Sequence, residues 1–188
     1  MGSNRDPTTI RHTSAAGSTI GFSHGFGGFL GNSDWWIQIE DSSFTGHVES
    51  RYDVGGFFGY KHNHDANFHR CVSSGTIHNR GAYDRIGGLV GRAQYNSRFY
   101  NCNSSANVTG RWRVGGITGF HNRTRFENCR SSANVRATSG EAGGIAGFNV
   151  QTCIVGFLEF TGSANNGNGN GGTAMFGRTH SGSNCNNV

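Results

Sequence analysis

Apolar residues in this chain stand in short clusters, cut apart by glycine, serine and asparagine, and the clusters recur in a fixed order. Phe26, Val54, Ile86, Val114 and Ala142 each precede a pair of glycines, and Phe29, Phe57, Leu89, Ile117 and Ile145 follow it. A third glycine comes next, at Gly31, Gly59, Gly91, Gly119 and Gly147. Further along, Ile39, Phe68, Phe99, Phe126 and Ile154 share one position. Three residues later stand Ser42, Cys71, Cys102, Cys129 and Phe157, with Cys185 at the same place in the last unit, while Val48, Ile77, Val108 and Val135 close the unit. The glycine pairs begin at Gly27, Gly55, Gly87, Gly115, Gly143 and Gly171, spaced by 28, 32, 28, 28 and 28 residues. A fixed period of this length marks a repeat architecture.

Three short apolar segments per unit predict three strands and three corners. One such coil cannot bury its inner face alone, but stacking on its neighbours does so, with parallel strands about 4.8 Å apart. The pattern therefore predicts an all-β chain: a parallel β-solenoid, or β-helix, of about six coils with three short strands in each. Residues 1–188 read as one solenoid, with a partial coil over 1–26, five GG-x-x-G coils over 27–170 and a second partial coil over 171–188. Glycine at the paired positions is expected to allow a bend or a positive φ.

Composition agrees with this reading. Glycine supplies 32 of 188 residues and proline 1, with only 34% hydrophobic residues, so long amphipathic helices lack both propensity and an apolar stripe. The net charge of +5 is carried by scattered arginines rather than by a basic stripe, which argues against a nucleic-acid partner. No apolar run approaches the roughly 18 residues of a membrane span. The opening "MGSNRDPTTIRHTSAAGSTIG" shows no signal-peptide pattern.

"IGGLVG", "VGGITG" and "VGGFFG", each followed by "NC" or "RC" and then by "SSANV" or "SSGTI", resemble the GLUG-motif repeat family of large bacterial surface and secreted proteins. The resemblance runs over roughly Gly27 to Gly147 and loosens beyond, at "NNGNGNGG". It implies a β-solenoid serving as spacer or adhesive module, at the cell surface or outside the cell, and it implies no catalytic residue.

Candidate chemistry is sparse. Cys71, Cys102, Cys129 and Cys185 share one repeat position and are expected to stack inward as a core ladder beside Phe68, Phe99 and Phe126, where a free thiol acts as a small hydrophobe. Cys153 lies out of rank. No C-x-x-C pair supports zinc, and "YKHNHDANFHR", with His62, His64, Asp65 and His69, reads better as a polar corner loop than as a metal site. Asn107 and Asn134, and Asn101 and Asn128, sit where side-chain amides can stack along the axis. Asn103, Asn107 and Asn122 head glycosylation sequons of the kind expected by chance in so Asn- and Ser-rich a chain. Trp35, Trp36 and Trp112 fall at predicted corners and are the candidate surface-binding residues, suited to a glycan or a partner protein.

An enzyme acting on polysaccharide needs a paired acid and base or a carboxylate cluster holding calcium. Here 11 acidic residues are mostly single, and "DWWIQIED", with Asp34, Glu40 and Asp41, is the one local cluster. The expectation is a non-enzymatic extracellular structural or adhesive solenoid with no cofactor. The competing readings are a carbohydrate-binding module and, behind it, a β-helical enzyme. Ile20 precedes Gly27 by the same interval as Val48 precedes Gly55, and Cys185 is followed by no closing strand, so the chain reads as opening and closing part-way through a coil. Such ends suit a segment of a longer parent chain, or copies stacked head to tail into a filament.

Overall fold

A computed structural model of the protein describes residues 8–22, 24–61, 64–81, 85–150, 152–167, 171–172 and 175–179. Every regular element among them is a β-strand. The strands assemble into sheets of 14, five and six members, which form the faces of a β-solenoid of about five turns. The first face is built from two-residue strands, Phe26–Gly27, Val54–Gly55, Ile86–Gly87, Val114–Gly115 and Ala142–Gly143, all paired in parallel. The second runs from Leu30–Ser33 through Phe58–Lys61, Val90–Ala93, Thr118–His121 and Ala146–Asn149 to Phe176–Thr179. The long face carries the rest of each coil.

The G-G-x-x-G signature makes the tight turn between the first two faces. Of the two expectations for its glycines, a bend or a positive φ, the bend is what the structure has: none has positive φ, and close backbone approach explains them. A Cβ on Gly119 would lie 2.1 Å from the Ile86 nitrogen, and one on Gly115 would lie 1.9 Å from the Thr118 oxygen. The two faces therefore lie back to back with almost no side chain between them.

Positive φ appears on the long face instead. His12, Asp41, Arg70, Asn101 and Asn128 have φ of 50, 48, 51, 51 and 51°. This rank of left-handed residues splits the long face, so that Ile37–Glu40 gives way to Ser43–Ser50, and the predicted third strand becomes two segments around a corner. The residue after each corner then points inward and donates to the carbonyl two residues back. Ser42 Oγ does so at 2.7 Å, and the thiols of Cys71, Cys102 and Cys129 do so at 3.6, 3.3 and 3.4 Å. A small side chain with a donor suits this position, which accounts for the shared use of serine and cysteine.

The core is a set of ladders. Phe68, Phe99 and Phe126 are fully buried and stack with centroids 4.8 and 5.1 Å apart. Val48, Ile77, Val108 and Val135 form a second buried rank in register. Cys71, Cys102 and Cys129 are buried free thiols, and burial pushes the Cys102 thiol well above its ordinary value.

Three expected ranks shift. Gly156, at φ 71°, lies where the register between Thr124–Ser131 and Thr152–Phe160 jumps, so Leu158 pairs with Cys129 and Phe157 is turned outward, 43% exposed under the Arg130 guanidinium. Gly171–Gly172 does not continue the first face but pairs antiparallel with Ala164 and Asn165. Met175 instead accepts from the Ile145 and Ala146 nitrogens, and Phe176 pairs with Ala146, a spacing two residues longer than the repeat. Ile20 pairs with Glu49 while Thr19 takes the place beside Val48. A slip of one residue reverses the side-chain direction, and Ile20 is 61% exposed. Cys185 lies outside the described residues.

Candidate functional site

The residue just before each first-face strand stands on the corner where the long face ends. Successive coils place Asp53, Arg85, Arg113 and Glu141 there, held in rank by hydrogen bonds to their carbonyls from the Phe26, Val54, Ile86 and Val114 nitrogens. On the second face the outward position is a ladder of Tyr60, Arg92, Phe120, Phe148 and Arg178. The third glycine of the motif brings these two rows together, because its missing side chain lets the second face abut the backbone of Arg85 and Arg113.

The result is an arginine and aromatic surface. Phe120 and Phe148 stack at 5.7 Å. Arg85, Arg92 and Arg113 lie over Phe120 at 5.5, 5.6 and 5.6 Å, and Arg113 lies over Phe148 at 4.7 Å. Arg178 approaches Phe148 at 5.6 Å, and Arg92 approaches Tyr60 at 4.6 Å. Above the corner opens a groove of about 560 Å³, lined by the four corner residues, Arg178, Trp112 and the stacked rings of His24 and Tyr52.

Its electrostatics are strained in a definite sense. Four guanidiniums meet two carboxylates: Asp53 accepts from Arg85 at 3.1 Å and Glu141 pairs with Arg178 at 3.5 Å. Burial, and then the repulsion of Arg85, push the guanidiniums of Arg92 and Arg113 below their ordinary range. Burial raises the Asp53 carboxyl despite its arginine partner. Arg85 Nε and Glu141 Oε2 are shut away from solvent with no hydrogen-bond partner.

Of the tryptophans, Trp112 belongs to this groove and packs over Gly140, where a Cβ would sit 2.3 Å from its ring. Trp35 and Trp36 lie at a different corner, exposed, with Trp35 stacked on His64 at 5.9 Å. The structure does not bring the three together. His62 lies outside the described residues, and among those described no group of three metal-ligating side chains is placed to hold an ion. Nothing is described of the Cys153 side chain. Asn134 donates to Asn107 at 3.0 Å and accepts from Ser163 at 3.0 Å, an outward amide ladder. Asn101 and Asn128 instead take the left-handed corner, where the Asn128 oxygen accepts from the Phe157 nitrogen.

Two buried polar residues went unnoticed in the repeat pattern. They occupy the inward end of second-face strands. Lys61 donates to the Ser33 carbonyl at 3.3 Å, and burial brings its ammonium down to about 8. His121, fully enclosed, has its value lowered by burial to about 3 and is neutral. The Thr152 hydroxyl donates to Asn149, so His121 Nε2–H donates to Thr152 at 2.6 Å and Nδ1 accepts from Thr118 at 3.1 Å.

No curated protein and no solved structure gives a significant match to the chain. One family does: residues 82–109, which span the coil of "IGGLVG" and carry Arg85 of the groove, match the GLUG motif, and the chain is a β-solenoid bearing that repeat.

Proposed function

We propose that the protein is a non-enzymatic structural and adhesive solenoid working outside the cell, and that copies stack end to end. The observation that carries the non-enzymatic reading is the commitment of its carboxylates. Glu40, Glu49, Asp53, Glu127, Glu141 and Glu159 are each paired with an arginine between 2.8 and 3.5 Å, and Asp41 is paired with Arg70. Most of these pairs link one coil to the next. A hydrolase or lyase wants two carboxyls of different protonation state facing one substrate, and carboxylates tied into such a lattice are suited to cross-linking coils.

Stacking is supported by the strand Ser14–Ile20. It pairs with Ser43–Ser50 on one side, and among the described residues nothing pairs with its other edge. Exposed Ile20 and Phe22 lie beside it. An unpaired parallel edge with apolar side chains is a template for another copy. Extracellular placement rests on the surface proteins in which GLUG repeats occur; no helix of the described residues is long and apolar enough to cross a membrane.

Negative-stain electron microscopy beside sedimentation across a concentration series tests stacking. Uniform fibres that are lost in Ile20→Glu are expected. A monodisperse monomer at high concentration would overturn stacking and leave an adhesive module that acts by its sides.

A further inference from the structure

The geometry points to the corner groove as a binding subsite for an acidic saccharide, with Arg85 and Arg113 taking the ligand's anionic group, Asp53 and Glu141 accepting from its hydroxyls, and Trp112 offering a ring face. This deepens the adhesive reading and rests on it.

The order of the corner residues is the argument. In four successive coils the rank runs carboxylate, guanidinium, guanidinium, carboxylate. Two like charges in adjacent coils, about 4.8 Å apart along the axis, repel one another, and an anion between them relieves that repulsion. Guanidiniums bind carboxylate and sulfate through paired N–H donors. Among the described residues Arg113 has no carboxylate within ion-pair distance; its guanidinium rests on the ring faces of Phe120 and Phe148, and Glu141 and Asp53 act on it only at longer range. Resting on rings leaves the in-plane N–H donors of a guanidinium directed away from them.

The flanking carboxylates choose between anionic polymers. Asp53 and Glu141 repel a phosphate backbone, and a DNA strand has no backbone hydroxyl to offer them. A uronic acid or sulfated sugar has both an anionic group and several hydroxyl donors. Glu141 holds Arg178 through Oε1 at 3.5 Å, a distance long enough for a sugar hydroxyl to share that oxygen. The open groove also presents Trp112 and the His24–Tyr52 stack, apolar faces of the kind on which sugar rings lie. The rank runs along the solenoid axis, so a linear chain of acidic sugars can extend along the groove.

The test is calorimetric titration of the full chain at low salt with galacturonic acid hexamer, a sulfated hexasaccharide, a neutral glucose hexamer and oligo(dT). Saturable binding of one or both acidic sugars is expected, with no binding of the neutral one. Arg113→Gln should weaken affinity about tenfold or more, the scale of a charge-assisted pair. Glu141→Gln should weaken it less, and Arg136→Gln, an exposed arginine on the long face, should leave it unchanged. Far-ultraviolet circular dichroism confirms that each variant is folded. Equal losses in Arg113→Gln and Arg136→Gln would overturn the proposal as diffuse charge attraction. Tighter binding of oligo(dT), or no binding of either acidic sugar, would also overturn it. A failure here leaves fibre formation untouched, so the two readings are separable.

Discussion

Two ladders run through the same coils a few ångströms apart, and they differ in almost everything but register. Inside the long face, Phe68, Phe99 and Phe126 repeat one residue, fully buried and stacked. Outside the second face, Tyr60, Arg92, Phe120, Phe148 and Arg178 mix rings with cations, from buried Phe148 to exposed Arg178. The inner rank accepts only apolar side chains that close-pack, isoleucine at buried Ile39 as well as the three phenylalanines. The outer rank is free to vary, and what it holds is chemistry rather than volume. The repeat thus supplies a rigid axis, and departures from the repeat supply the surface that can recognise something.

The comparison can be broken hardest at the turn on which both ladders depend. Gly119→Ala would drive a methyl group to 2.1 Å from the Ile86 nitrogen, where only backbone can yield. The expected loss exceeds about 4 kcal/mol, read as failure to fold or a collapsed urea midpoint. Next comes the inner ladder itself. Phe99→Ala removes the ring shared by two stacks and should cost about 3–5 kcal/mol in urea unfolding, whereas Phe120→Ala on the outer ladder should cost roughly 1 kcal/mol.

A third change sharpens the contrast through pH. His121 is neutral in the fold because its value is lowered from 6.5 to about 3. As pH falls, the unfolded chain takes up the proton first. The contribution is whole above about pH 6.5 and is lost progressively toward about pH 3. His121→Asn should flatten the decline between pH 6.5 and about 5, before most carboxylates titrate. Smaller still is the surface pair: Asp41→Ala, which frees Arg70 on an exposed corner, should move the urea midpoint at neutral pH only slightly. Arg70 holds that carboxyl below its usual range against the opposing effect of burial, so the pair's contribution is present at neutral pH and vanishes on protonation, and the variant should match the wild type in acid.

The inner ladder was legible in the amino-acid sequence because one residue type at a fixed interval announces a rank. Phe68, Phe99 and Phe126, the valine rank and three of the cysteines fall where the period puts them. Legibility fails wherever one or two residues slip. A single extra residue at Gly156 moved Phe157 out and Leu158 in. Thr19 rather than Ile20 took the place beside Val48, and Met175 rather than a residue of the "GG" at Gly171 continued the turn. Apolar residues near the right spacing are an ambiguous guide where the period loosens. The groove was hidden for the opposite reason. Asp53, Arg85, Arg113 and Glu141 share a position but not a chemistry, so they do not read as a repeat. Alignment of the coils on their glycine pairs would have exposed them, since each stands immediately before the apolar residue that precedes a pair. Trp112, one residue earlier again, was legible as a corner residue, but its company was not.

The most direct test of this division between a packed axis and a recognising surface is the urea midpoint of wild type and Arg113→Gln, each with and without the acidic hexasaccharide that the wild type binds. A ligand that binds only the folded chain raises its stability. Closely similar midpoints for the two proteins alone, with a ligand-induced rise in the wild type only, are the predicted result. Equal rises in both proteins, or a collapse of the Arg113→Gln midpoint without ligand, would show that the outer rank is part of the scaffold and contradict the account.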